Sequence, residues 1–153
     1  MSPPNESFCW KTFNALSTTE LYALLKLRSE VFVVEQNCVF LDLDDHDQSA
    51  LHLLMHDAAG VLLGYTRLLP PGEKYAEPSI GRVVVSPRVR ATGAGQRLMA
   101  ESVRGARQHY PGLPNLIWAQ AHLQRFYSGF GFVTESEPEL EDGILHVFMR
   151  LPA

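Results

Sequence analysis

The residues Arg90-Ala91-Thr92-Gly93-Ala94-Gly95-Gln96 follow a β-branched run and lead into helical apolar spacing, an order whose chemistry is to grip phosphate. A helix N-terminus leaves several backbone N–H groups without internal partners and carries about half a positive charge, so phosphate oxygens bind there. Gly93 and Gly95 remove Cβ atoms where an anion must approach the main chain, and they admit the positive φ of a tight turn. Two well-known phosphate turns fail. A Walker loop needs Gly-Lys-Ser/Thr, whereas Gln96-Arg97 follows Gly95, and the dinucleotide fingerprint needs a third small residue where Leu98 stands. The pattern that remains is Arg-x-x-Gly-x-Gly. The metal-type motifs are weaker. Counted from Asp42, the EF-hand positions that require Gly and Glu hold Asp47 and Leu53. His52 and His56 lack the Glu of a zinc helix and sit in a strand-like context. No metal is expected. The acids Asp42, Asp44, Asp45 and Asp47 read instead as a solvated loop or as a rim attracting a cationic substrate.

Charge is divided along the chain. From Arg82 to Arg125 seven arginines face one acid, Glu101, a balance of +6; the whole chain carries −4, so the remainder carries −10. A locally positive segment in an acidic protein suits a small phosphorylated ligand better than nucleic acid, which the remainder would repel. At 153 residues, 46% hydrophobic and 20% charged, one domain over 1–153 is expected, large enough for a core without disulfides or a structural metal. Cys9 and Cys38 have no metal spacing and read as free thiols of a reducing compartment. No apolar run nears the roughly 18 residues of a membrane span, and Met1–Trp10 lacks a signal-peptide pattern. A cytoplasmic location and no membrane partner follow as expectations.

Elements must position the phosphate turn. Phe8–Phe13 reads as a first strand. Ser17 and Glu20 stand in capping-box spacing, with Leu16 and Leu21 as a hydrophobic staple, opening a helix that fades near Gln36. Ala50–Asp57 and Val61–Leu69 form a hairpin, and Ser79–Val85 is the strand before the turn. Gly95–Tyr110 is a helix with Leu98, Met99, Ser102, Val103 and Ala106 inward, in which Gly105 costs about 1 kcal/mol relative to Ala. Leu116–Ala121 is a strand, Leu123–Phe130 a short aromatic helix, and Phe132–Glu135 with Ile144–Leu151 a closing hairpin around an acidic loop. The order predicts an α/β (or α+β) fold, with a mixed sheet covered by helices.

Two separated segments carry a resemblance. Ile80-Gly81-Arg82-Val83-Val84-Val85 with the Arg90–Gly95 turn resembles the coenzyme A loop of the Gcn5-related N-acetyltransferases, and Leu123-Gln124-Arg125-Phe126-Tyr127-Ser128-Gly129-Phe130-Gly131-Phe132 is similar to that family's FYxxxGF ending. Phe32–Cys38, Ala119–Gln124 and His146–Arg150 look like the ElaA-like subgroup, so the resemblance spans nearly the whole chain. It implies a sheet that splays after the Ser79–Val85 strand, acetyl-CoA as cosubstrate, and a small-molecule or peptide amine as acceptor, with a homodimer admitted as an assembly. Backbone groups of Arg90, Ala91, Gly93, Ala94, Gly95 and Gln96 would hold the pyrophosphate. Val83 and Val85 would pair with the pantetheine amides, and an N–H near Val84 or Val85 would polarise the acetyl carbonyl. Tyr127 would protonate the leaving sulfur; the competing reading makes it a core aromatic with Phe126, Phe130 and Phe132. The base is not fixed by spacing: Glu35, Asp44, Glu77 and His122 all qualify by type, and His122 is favoured because it follows the splayed strand. Glu35, His52, Arg82 and His146 would shape the acceptor pocket. The same turn would also serve a noncatalytic module that holds or senses acyl-CoA, and turnover separates the two.

Overall fold

Ser17 stops the chain from entering the first helix unpaired. In the computed structural model, which describes residues 5–153, its hydroxyl accepts from the Glu20 N–H at 3.0 Å and the Glu20 carboxylate accepts from the Ser17 N–H at 2.8 Å. Helix α1 (Thr18–Arg28) thus begins in the capping box that the sequence spells out. It does not end as an α-helix: Ser29–Glu35 widens into a π-helical segment, with Gln36 N–H donating to Val31 O at 3.1 Å and Cys38 N–H to Val33 O at 3.0 Å. Such i→i−5 turns are rare and recur at functional sites. Residues 1–4, which the single-domain and Met1–Trp10 readings also take in, lie outside the described residues.

Strands β1 (Glu6–Thr12), β2 (Leu51–Asp57), β3 (Leu62–Leu69) and β4 (Ser79–Val85) form one antiparallel sheet in chain order. Helix α2 (Ala94–His109) lies on it and buries the inner face expected from its spacing, including Leu98, Met99, Ser102, Val103 and Ala106. Ser102 also meets Thr66 of β3 through their hydroxyls at 2.9 Å, which satisfies both groups inside the core. Gly105 proves to be more than a weak helix former, since a Cβ there would stand 2.1 Å from the Trp10 ring. The glycine makes room for the indole of β1.

A second sheet orders β5 (Asn115–Gln120), β8 (Ile144–Leu151) and β6 (Val133–Thr134), with β7 (Glu139–Glu141) also on β8. The acidic loop expected inside the closing hairpin therefore makes a short strand of its own. Helix α3 (Gln124–Ser128) packs Phe126, Tyr127 and nearby Phe130 and Phe132 on this half.

All ladders are antiparallel. The mixed character of the sheet lies in β4 beside β5, which meet at their starts: Leu116 N–H donates to Pro78 O at 3.2 Å and Ile80 N–H to the Asn115 Oδ1 at 3.0 Å. Beyond that point the two strands part.

Candidate active site

The gap between β4 and β5 is a cavity of about 520 Å³. Its walls come from Val83, Val84 and Val85 on one side and Ile117 to Gln120 on the other. The π-helical segment supplies Glu35, and the β7–β8 turn supplies Glu141 and Asp142. Of the residues singled out in the sequence, Glu35, Arg82, Val83, Val84, Val85, Arg90, His122, Tyr127 and His146 all line it.

The edge of β4 is open toward the gap. Ser86 N–H donates to Leu63 O of β3 at 2.7 Å, and main-chain groups alternate sides along a strand. Those of Val85 and Val83 therefore point away from β3, toward β5. The strand also carries a bulge, because Tyr65 pairs with Val84 but Arg67 with Gly81, so two residues oppose Thr66. Arg82, one of the two, has φ 49°, a left-handed conformation that a non-glycine side chain adopts at a cost. Bulges of this kind turn a strand and re-aim its groups. Sequence reasoning missed it; the adjacent Gly81 is the only local signal.

Arg82 is fixed there by charge. Its Nε lies 2.8 Å from Asp42 Oδ1 and its Nη2 3.3 Å from Asp44 Oδ2. The same acids and Asp47 bind two buried arginines: Arg28 Nε meets Asp42 Oδ2 and Arg28 Nη1 meets Asp47 Oδ1, both at 2.8 Å, while Arg67 grips Asp44 through two bonds of 2.7 and 2.8 Å. Arg28 and Arg67 are 0% and 2% exposed, and Asp42 and Asp47 8% and 5%. The expected solvated acidic loop or substrate rim is thus corrected for Asp42, Asp44 and Asp47: three carboxylates neutralise three arginines beneath the cavity. Burial alone would raise the Asp44 and Asp47 pKa values, but the hydrogen bonds and charges of Arg67 and Arg28 hold both below the ordinary range.

His52 belongs to this layer and does not reach the cavity. It is fully buried, its Nε2 donates to Asp47 O at 2.9 Å, and its Nδ1 accepts from the Tyr65 hydroxyl at 2.6 Å. Burial pushes its pKa down and keeps the ring neutral. The structure accordingly places His52 under the site, with no nitrogen free for an acceptor.

Two base candidates are likewise held elsewhere. Asp44 is committed to Arg67 and Arg82, and Glu77 is ion-paired with Arg150 away from the cavity. Glu35 lines the cavity but pairs with Arg90 at 2.8 Å. Tyr127 is buried, packing on Phe126 and Phe132 with ring centroids 5.2 and 6.0 Å apart, and burial raises its pKa to about 12. The ring of Tyr127 is thus part of the core, and the residue also lines the cavity.

Beyond Arg90 the chain turns out of the cavity wall. Ala91 has φ 62° and Gly93 φ 84°, and Gly93 caps α2 without a side-chain bond. Among the described residues the N–H groups of Ala94, Gly95 and Gln96 have no protein acceptor; the first helical bond from this end is Arg97 N–H to Gly93 O at 3.1 Å. No group of three or more metal-type side chains that could hold an ion occurs among the described residues.

A sheet parted after its fourth strand, with a glycine turn at the mouth of the gap, defines an acyl-CoA N-acyltransferase fold. The model of the acetyltransferase (GNAT) domain matches residues 30–153. Protein ElaA of Escherichia coli is 43% identical over 138 residues, 88% of each chain. Its crystal structure superposes with a TM-score of 0.88, covering 95% of this chain and 98% of that one. An acyl-CoA N-acyltransferase from Pseudomonas aeruginosa, 41% identical, gives 0.91 over 97% and 99%. The chain belongs to the GNAT acetyltransferase family, in its ElaA-like subgroup.

Proposed function

We propose that this protein transfers an acetyl group from acetyl-CoA to a primary amine in a ternary complex. The observation that carries this reading is the open edge of β4 at Val83 and Val85, facing a cavity whose lining extends to Arg90, four residues before the unpaired N–H groups that begin at Ala94. Those N–H groups, with Gly93 and Arg90, suit the pyrophosphate. The β4 edge suits the pantetheine amides, which add to it as a strand would. Of the two N–H groups expected to polarise the thioester carbonyl, that of Val85 lies on the open edge, whereas Val84 is turned toward Tyr65 of β3; one such donor is worth about 10² to 10³ in rate. Holding amine and thioester together supplies much of the remainder.

The atoms balance without covalent help from the protein. The ammonium loses a proton to a base, and its freed pair forms the C–N bond while the carbonyl π pair moves to oxygen. Return of that pair breaks the C–S bond. Sulfur takes the Tyr127 proton, and the second nitrogen proton, passed through solvent, restores the phenol. Because burial keeps Tyr127 protonated at neutral pH, it holds a proton when the thiolate departs.

Incubation of purified protein with acetyl-CoA and a mixed panel of amines, lysine peptides and aminoglycosides, following free thiol, tests the reading. Thiol release that depends on an amine is expected. Silence across the panel from protein that binds CoA would make the chain a noncatalytic acyl-CoA-binding module.

A further inference from the structure

Five side chains on the cavity wall can accept a proton: Glu35, His122, Glu141, Asp142 and His146. The carboxylates are poorly matched to an ammonium at neutral pH, and two are already engaged, Glu35 by Arg90 and Glu141 by the Trp118 indole N–H at 2.7 Å. An imidazole is the matched base. His122 sits exposed in the Ala121–Leu123 turn, and no hydrogen bond fixes its ring among the described residues.

His146 is held by three elements. Its strand position pairs with Gln120 of β5 and Glu139 of β7. Its ring stacks on Trp118, centroids 5.5 Å apart and planes within 12°. Its Nδ1 lies 2.8 Å from Ile144 O. A carbonyl oxygen has no proton to give, so Nδ1 must carry the hydrogen, and the neutral ring then presents Nε2 as a bare lone pair. From this geometry we infer that His146 is the general base, accepting the acceptor ammonium's proton at Nε2 and passing it to solvent; the inference rests on the acetyl-transfer reading above. The charged and titratable groups around the ring are Glu139 on the paired strand, with Glu141, Asp142, Arg82, Arg90, Glu35, Cys38, Tyr127 and His122 sharing the cavity.

Two measurements test it. In 15N imidazole spectra of the full chain saturated with acetyl-CoA, His146 should show a protonated Nδ1 and a bare Nε2. In turnover with spermidine and a lysine tripeptide as probe amines, His146→Gln should lower kcat on the order of 10²-fold, leave the acetyl-CoA dissociation constant unchanged, and remove the imidazole limb from the pH profile. His146→Ala should regain turnover on addition of free imidazole. A proton on Nε2 in place of Nδ1, or an unchanged kcat and limb in His146→Gln, overturns the assignment while leaving acetyl transfer standing. Loss of the limb in His122→Gln alone returns the role to His122. Wild-type protein that transfers neither to these probes nor to any amine of the panel above overturns the inference together with the activity it rests on.

Discussion

At the scale of single residues, the side chains with chemistry were easier to read than the partners that restrain them. Tyr127 and His146 stand out in the sequence, yet nothing local to His146 announces that its Nδ1 is tied to Ile144 O. His52 has an equally chemical side chain and is spent on Tyr65 and Asp47 instead. Type is printed in the sequence; which nitrogen is free depends on the rotamer that the fold imposes, set against Ile144 of the same strand for His146 and against Tyr65 of the neighbouring strand for His52. For Tyr127 the ring and hydroxyl roles separate in Tyr127→Phe, which retains the packing on Phe126 and Phe132. The variant should keep acetyl-CoA affinity and lose at least tenfold in kcat, because the hydroxyl matters when sulfur leaves. Isothermal titration and single-turnover kinetics read the two effects separately, and unchanged turnover would confine Tyr127 to the core.

At the scale of elements, boundaries with strong local chemistry were legible. The Ser17–Glu20 box starts α1 as spelled out, and the inward face of α2 follows its apolar spacing. The π-helical turn at Ser29–Glu35 and the bulge at Arg82 were not, because neither has a distinctive local composition, and Arg82 is held by Asp42 and Asp44, far away in sequence. Gly105 looked like a tolerated flaw, and its reason lies in Trp10, far away in sequence. Gly105→Ala should therefore destabilise despite its better helix propensity, by about 1–3 kcal/mol as overpacking does, read as a lower urea midpoint. Gly93→Asp tests the turn: with φ 84° and a Cβ 3.0 Å from the Arg97 guanidinium, any side chain is strained there, and a carboxylate would repel phosphate. Acetyl-CoA should bind at least tenfold more weakly by titration, in protein whose circular dichroism shows it folded.

At the scale of the molecule, three of the seven arginines from Arg82 to Arg125 are neutralised by acids that the sequence places elsewhere. Arg82 pairs with Asp42, Arg90 with Glu35 and Arg97 with Glu6, while Arg104 meets the one acid inside the stretch, Glu101. Linear charge counting sees the division but not its cancellation, since ion pairing is a property of the fold. The cancellation has a pH signature. Asp44 and Asp47 have folded pKa values below their unfolded ones, so their contribution is complete above the unfolded value of about 3.9 and is lost as pH falls through the folded values. His52, also depressed, adds a loss that begins as pH drops below about 6.5. Urea unfolding should show stability falling on acidification, and Asp47→Asn, which leaves Arg28 its bond to Asp42 and Arg67 its bonds to Asp44 but removes one of the three charges that balance the buried arginines, should cost about 3 kcal/mol at pH 7 and flatten the acid slope. No helix among the described residues is long and apolar enough to cross a membrane. The hydrogen bonds between β4 and β5 lie at Pro78–Leu116 and Ile80–Asn115, so the two sheets resemble shears closed at the pivot. A slight rotation there opens the far tips more than the throat, so crevice width can be retuned by repacking one hinge while both blades keep their ladders intact.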